Sequence, residues 1–275
     1  MAFSYQQLAL GRPAGLRFTI HHSLFLLFLS MLSLLALAVA PGIAITFYIY
    51  WKDKYDREPL RNLIISFLLG IACTGPAILI QNWLGPHLSD YFPAPRSYSY
   101  YAVSAFVVVA FSEEASKFLM LRFYAYRHKA FNEPFDGIIY SVMVSMGFAT
   151  LENINYVLGY GYVTGIVRMF LSVPAHACFG VLMGYHAGLA KFDPVHSVQH
   201  LVKGLLLATF FHGAFDFFLF MQDSPLITQY VSTTLLFVGA LVSYYFAIRV
   251  SLRSIRLHHE LSKQSFHDQN GPLIT

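Results

Sequence analysis

The sequence predicts an all-α polytopic membrane bundle of about seven transmembrane helices, and three observations carry that reading. Apolar runs of about twenty residues recur along the chain, the length that a bilayer core about 30 Å thick demands of a helix. Charged residues make up 12% of the 275 and hydrophobic ones 56%, whereas soluble domains carry about 25% charged residues. Lysine and arginine gather in alternate connections, as a fixed orientation in a membrane requires.

The expected spans are 24–50, 62–84, 100–121, 137–158, 165–190, 201–221 and 226–249. The first is long and contains Pro41, which predicts a tilt or kink rather than two spans. Its "ALAVAPG" has the look of a signal-peptidase site after Arg12 and Arg17. The apolar run continues through "IAITFYIYW", however, so an uncleaved anchor is expected. Residues 1–23 read as an N-terminal tail, 24–250 as a single transmembrane domain, and 251–275 as a polar tail expected to fray.

Lys52, Lys54, Arg57 and Arg61 follow the first span, and Arg122, Arg127 and Lys129 follow the third. Lys191 and Lys203 flank the turn after the fifth, while Arg249, Arg253, Arg256 and Lys263 follow the seventh. Arg12, Arg17, Arg96 and Arg168 are left for the other side, so the C-terminus is expected in the cytoplasm and the N-terminus outside. This bias accounts for the net charge of +4, and nothing points to nucleic acid. Cys73 and Cys178 both lie in apolar runs, without a CxxC, and read as packing residues.

Four acids fall inside the expected spans: Glu113, Glu114, Glu152 and Asp216. Three histidines do too, His176, His186 and His212. Each ionised group at a span centre costs about 2.5–3.5 kcal/mol on insertion scales, so unpaired groups here would oppose insertion. Their spacing suggests pairing. Glu113 and Glu114 stand four and three residues before Lys117, within reach on a helix. Glu152 lies four after Phe148 and is followed by Asn153; His176 lies four before Gly180; His212 lies four before Asp216. Four consecutive spans thus each offer one constellation able to point into a bundle interior.

These residue types permit metal-assisted hydrolysis. Two imidazoles and a carboxylate form a common catalytic zinc set with an open position for water, and a second carboxylate can act as general base. Asp216, one turn from His212, is placed to orient that imidazole. The bland readings are a structural ion pair for Glu113 or Glu114 with Lys117, a polar cavity wall for Glu152, and hydrogen-bonded core histidines for His176 and His212. His186 is rotated by about 80° from His176 on a helix and reads as interfacial. A membrane transporter or ion-binding protein coupled to protons or metal uses similar buried groups, but the chain shows no inverted repeat.

In this order the motifs resemble the PrsW-type family of bacterial intramembrane proteases, within the superfamily of CAAX prenyl proteases and bacteriocin-immunity-type membrane peptidases. The resemblance lies in Glu113-Glu114-x-x-Lys117, in Phe148-x-x-x-Glu152-Asn153, in His176-x-x-x-Gly180 and in His212-x-x-x-Asp216. "YDREPL" after the first span adds to it, so the likeness runs from about residue 50 to 220. It implies an intramembrane endopeptidase of the bacterial plasma membrane, acting on membrane-anchored proteins such as an anti-sigma factor. On that expectation Glu113 or Glu114 activates water, with Glu113 favoured because it shares a face with Lys117. Glu152, His176 and His212 hold a divalent metal, expected to be zinc, or polarise the scissile carbonyl in a metal-free mechanism. Lys117, Asn153 and Asp216 support them. Prenyl-protease relatives carry histidine where this chain has Glu152.

Overall fold

The computed structural model describes residues 14–53, 56–92 and 97–270, with side chains from 25 to 264 within those ranges. Arg12, Lys54, Arg96 and most of the expected N-terminal tail lie outside the described residues, as do 271–275. Among the described residues all regular structure is helical. Helices α1 (Ala14–Lys52) and α2 (Leu60–Tyr91) are followed by α3 (Tyr98–Val103), a π-helical stretch (Ser104–Phe111) and α4 (Ser112–Phe123). Then come α5 (Pro134–Phe170), α6 (Ser172–Phe192), α7 (Ser197–Phe220), the short α8 (Pro225–Thr228) and α9 (Thr233–Asn270). The two cysteines are free and buried.

Among the described residues, five stretches are long and apolar enough to cross a membrane: Phe25–Lys52, Leu60–Tyr91, Pro134–Phe192, Ser197–Asp223 and Thr233–Gln264. The other two expected spans are hidden for local reasons. The third stretch holds both α5 and α6, and the span expected at 100–121 is divided by its π-helical turns. Pro41 sits inside a continuous α1, as expected. The C-terminal tail differs from expectation, because α9 runs unbroken to Asn270 and buries His258 and Ser262. Outward faces are apolar, with Phe28, Leu79 and Leu235 exposed as a lipid-facing surface requires.

Close backbone crossings draw α5 to the centre. A Cβ at Gly137 or at Gly184 would collide with the other's backbone between α5 and α6, and one at Gly147 would strike the Phe67 carbonyl of α2. Between membrane helices, where lipid competes equally for apolar side chains, such small-residue contacts supply the dispersion energy that holds the pair.

Hydrogen bonds gather alternate helix ends on one side. Asp53 Oδ2 accepts from Glu58 N at 3.0 Å, and Tyr140 donates to Glu58 Oε2. Asp136 Oδ2 accepts from Asn132 N and Glu133 N, both at 2.8 Å, capping α5. Phe135 N donates to Ser262 Oγ of α9 at 3.1 Å, and Lys191 at the end of α6 donates to Tyr126 O at 2.7 Å. The connections that carry most of the Lys and Arg therefore share one end of the bundle.

Asp53, Glu58, Glu133 and Asp136 are all buried there. Burial pushes the Asp53 carboxyl up to about 6 and those of Glu58 and Glu133 up to about 7. Acids raised this way bind more protons folded than unfolded, so their stabilising contribution is present below pH 4 and is lost as pH rises through 6 to 7. The thermal midpoint of the detergent-solubilised protein is expected to fall between pH 5 and pH 8. Glu58→Gln should flatten that slope; an unchanged or rising midpoint would contradict the account.

Candidate metal centre

The centre is assembled from α4, α5, α6 and α7. In the π-helical stretch the wider coil ends at Ser112, whose Oγ donates to Val108 O at 2.6 Å and Val109 O at 3.0 Å. α4 then presents Glu113, Glu114 and Lys117, all nearly fully buried. Lys117 Nζ lies 2.8 Å from Glu114 Oε1 and 3.5 Å from Glu113 Oε2. It also sits 4.1 Å from the centre of the Phe148 ring, whose face is electron-rich. Phe148 of the second motif is therefore the seat of the lysine.

Pro174 falls in the first turn of α6, where its missing N–H leaves no intrahelical bond unmade. His176 follows it. Ser145 of α5 donates to the His176 carbonyl at 2.6 Å, and Gly180 leaves room for that serine. On α7 the His212 ring stacks on Phe179 with centroids 4.8 Å apart. The two imidazoles meet edge to face, 5.1 Å between centroids.

Both imidazoles are arranged alike. His176 Nε2 lies 3.0 Å from Glu152 Oε2, and His212 Nε2 lies 3.2 Å from Asp216 Oδ2. A carboxylate at Nε2 accepts a hydrogen bond from its N–H, which fixes the tautomer and leaves the lone pair on Nδ1, facing the other way. Nδ1 of His176 then faces Lys117 Nζ at 3.0 Å, and Nδ1 of His212 faces Glu114 Oε1 at 2.9 Å. The second contact sets two lone-pair acceptors against each other, which is unfavourable unless a cation or proton lies between them.

One ligand atom from each of Glu113, Glu114, His176 and His212 lies within 4.8 Å of all the others. Glu113 Oε2 and Glu114 Oε2 are buried without a hydrogen-bond partner. Two orphaned carboxylate oxygens beside two inward lone pairs fit a divalent metal. A cavity of about 440 Å³ opens on the group, lined by Gln81, Glu113, Arg168, His176, His212 and Asp216 among others.

Adjacent residues on a helix point about 100° apart, yet His212 reaches both Glu113 and Glu114: its Nε2 lies 3.9 Å from Glu113 Oε2 and its Nδ1 2.9 Å from Glu114 Oε1. Only Glu113 of the two lines the cavity. Glu152, expected as a ligand, stands outside the four-residue group, because Arg168 Nη2 binds its Oε2 at 2.7 Å and His176 holds the same oxygen. Asn153 ties α5 to α1, donating to Ala38 O at 2.8 Å. His186 is half-buried and faces His200 with ring centroids 6.2 Å apart, away from the centre.

Two neighbours escaped the sequence reading. Gln81 donates to Glu113 Oε1 at 3.2 Å, and its trace was an amide inside the apolar "AILIQNWLG". Arg168 was counted with the outer loops, although "VTGIVRMF" places it in an apolar run. Asp216→Asn should leave the fold intact and weaken metal binding about 10- to 100-fold, the usual cost of losing a histidine's outer partner. Competition with a metallochromic chelator reads that loss, and unchanged affinity would remove Asp216 from the centre.

Residues 58–245 match the model of the PrsW family intramembrane metalloproteases. Protease PrsW of Geobacillus kaustophilus (strain HTA426) is 40% identical over 193 residues, covering 70% of this chain and 82% of that protein. Protease PrsW of Bacillus subtilis (strain 168) is 37% identical over 190 residues, covering 69% and 84%. That of Clostridioides difficile (strain 630) is 36% identical over 197 residues, covering 70% and 81%. No solved structure matches the chain. With four motifs meeting in one buried centre and relatives of this extent, the chain belongs to the PrsW family of intramembrane metalloproteases and is a membrane-embedded peptidase.

Proposed function

We propose that this protein is an endopeptidase of the bacterial plasma membrane that cuts membrane-anchored proteins, an anti-sigma factor being the type of substrate. The single observation that carries the reading is the buried set Glu113, Glu114, His176 and His212, of which Glu113, His176 and His212 line a cavity. His176, His212 and Glu114 would hold a zinc ion, and Glu113 faces the cavity as general base. When bound there, zinc lowers the pKa of water and polarises a carbonyl.

The chain's own groups handle the rest. Glu113 Oε2, buried and without a hydrogen-bond partner, is positioned to take a proton from water and return it to the leaving amine. Gln81 fixes the other Glu113 oxygen by its amide. Lys117 balances the surplus negative charge, chiefly on Glu114. Phe148, Phe179 and Phe215 line the same cavity and limit the water around the reaction.

The Lys/Arg-rich end is assigned to the cytoplasm by the positive-inside rule. His176 lies sixteen residues from the far end of α6 at that side, and Glu152 eighteen from the start of α5. At 1.5 Å per residue these are about 24 and 27 Å. Such depths favour cleavage in the outer half of the bilayer.

Single Glu113→Gln, Glu114→Gln and His212→Ala variants should each lower cleavage of a membrane-tethered reporter, Glu113→Gln by about 10²- to 10⁴-fold. Chelation should silence the wild type and zinc should restore it. Full activity in all three variants would refute the proposal.

A further inference from the structure

Glu152 Oε2 has two partners, His176 Nε2 at 3.0 Å and Arg168 Nη2 at 2.7 Å. The same guanidinium donates from Nε to Asn153 Oδ1 at 3.0 Å, and its centre lies 3.9 Å from the Tyr156 ring centroid. Asn153 is in turn anchored to α1 through Ala38 O. One planar fork therefore grips three residues of a single turn of α5, two through hydrogen bonds and one by stacking. A carboxylate held this way cannot swing, and neither can the imidazole that donates to it.

Arg168 lies sixteen residues beyond Glu152, about 24 Å further along a straight helix. It comes back because the helical run reverses at Gly161, where φ is 82° and ψ −165°. That region of backbone space is essentially restricted to glycine. A Cβ at Gly161 would meet nothing within 4 Å, so the backbone angle and not space is what this position requires. After the turn Gly165 packs on Leu37 and Val157, and Arg168 arrives at the cavity wall.

We infer that Arg168 is a positioning residue of the metal centre, delivered by the Gly161 turn. It locks Glu152, and Glu152 keeps His176 with its Nε2 proton on that carboxylate and its Nδ1 lone pair turned to Lys117 at the buried group. The inference rests on the reading of His176 as a zinc ligand. The competing role is a plain counter-charge that lets Glu152 sit in the bilayer. A lysine satisfies that role but cannot bridge Glu152 and Asn153 while stacking on Tyr156.

The test uses the full-length protein in detergent, with zinc affinity measured by chelator competition, kcat and KM on the tethered reporter, and the thermal midpoint. Arg168→Lys should keep the midpoint, lower zinc affinity and kcat each about tenfold, within the range for groups that orient a metal ligand, and leave KM within about twofold. Gly161→Ala should shift affinity in the same direction. Adding Arg168→Lys to Glu152→Ala should weaken zinc binding no further than Glu152→Ala alone. Wild-type affinity and kcat in Arg168→Lys would overturn the inference and leave the site reading standing. A wild-type protein that binds no zinc would overturn both.

Discussion

Neutralising Lys117 inside the bundle is the constraint on which the rest of the structure depends. An ammonium in a bilayer is costly unless acceptors surround it, and here Glu114 Oε1, Glu113 Oε2 and His176 Nδ1 do so, with the Phe148 ring beneath. The acceptors come from α4 and α6 and the ring from α5, so their convergence commits the three helices to one arrangement. His212 joins through Glu114 and brings α7. The lysine is thereby the hub of the centre as well as its counter-charge.

Charge alone does not place helices to a fraction of an ångström; backbone contact does. Gly137 with Gly184, and Gly147 against Phe67, let α5 lie directly on α6 and α2. α5 is consequently buried along most of its first half, while α1, α2 and α9 keep apolar faces for lipid. The π-helical stretch before Ser112 sets the phase at which α4 starts, and so the direction of Glu113 and Glu114. π-helical turns recur at functional sites because they shift side-chain phase without ending the helix.

The two histidines illustrate how a site of this kind is ordered from outside inward. Glu152 and Asp216 take the Nε2 side of each ring, so Nδ1 is left for the interior. Glu152 is held in turn by Arg168, from a segment that reverses at Gly161. The centre is thus braced by residues on both sides of a turn whose conformation only glycine adopts readily.

Much of this was legible in the chain. The all-helical membrane class followed from apolar run length and scarce charge, and the family from four ordered motifs. Glu113, Glu114, His176 and His212, which meet in the buried group, stood out as well, because ionisable groups in apolar spans are rare and each must have a partner. What pairs with what was not. Spacing along one helix related Glu113 to Lys117 and His212 to Asp216, since those contacts are local. The assignment of Glu152 to Arg168 and His176, the access of His212 to both glutamates, and the burial of His258 and Ser262 on α9 are contacts across distant chain segments. The sequence by itself determined which charges had to be buried and on which helices, through the cost of leaving them unpaired in lipid. Only the tertiary structure decided their partners, because a 3.6-residue periodicity carries no information about helix register, the π-helical phase shift or the reversal at Gly161.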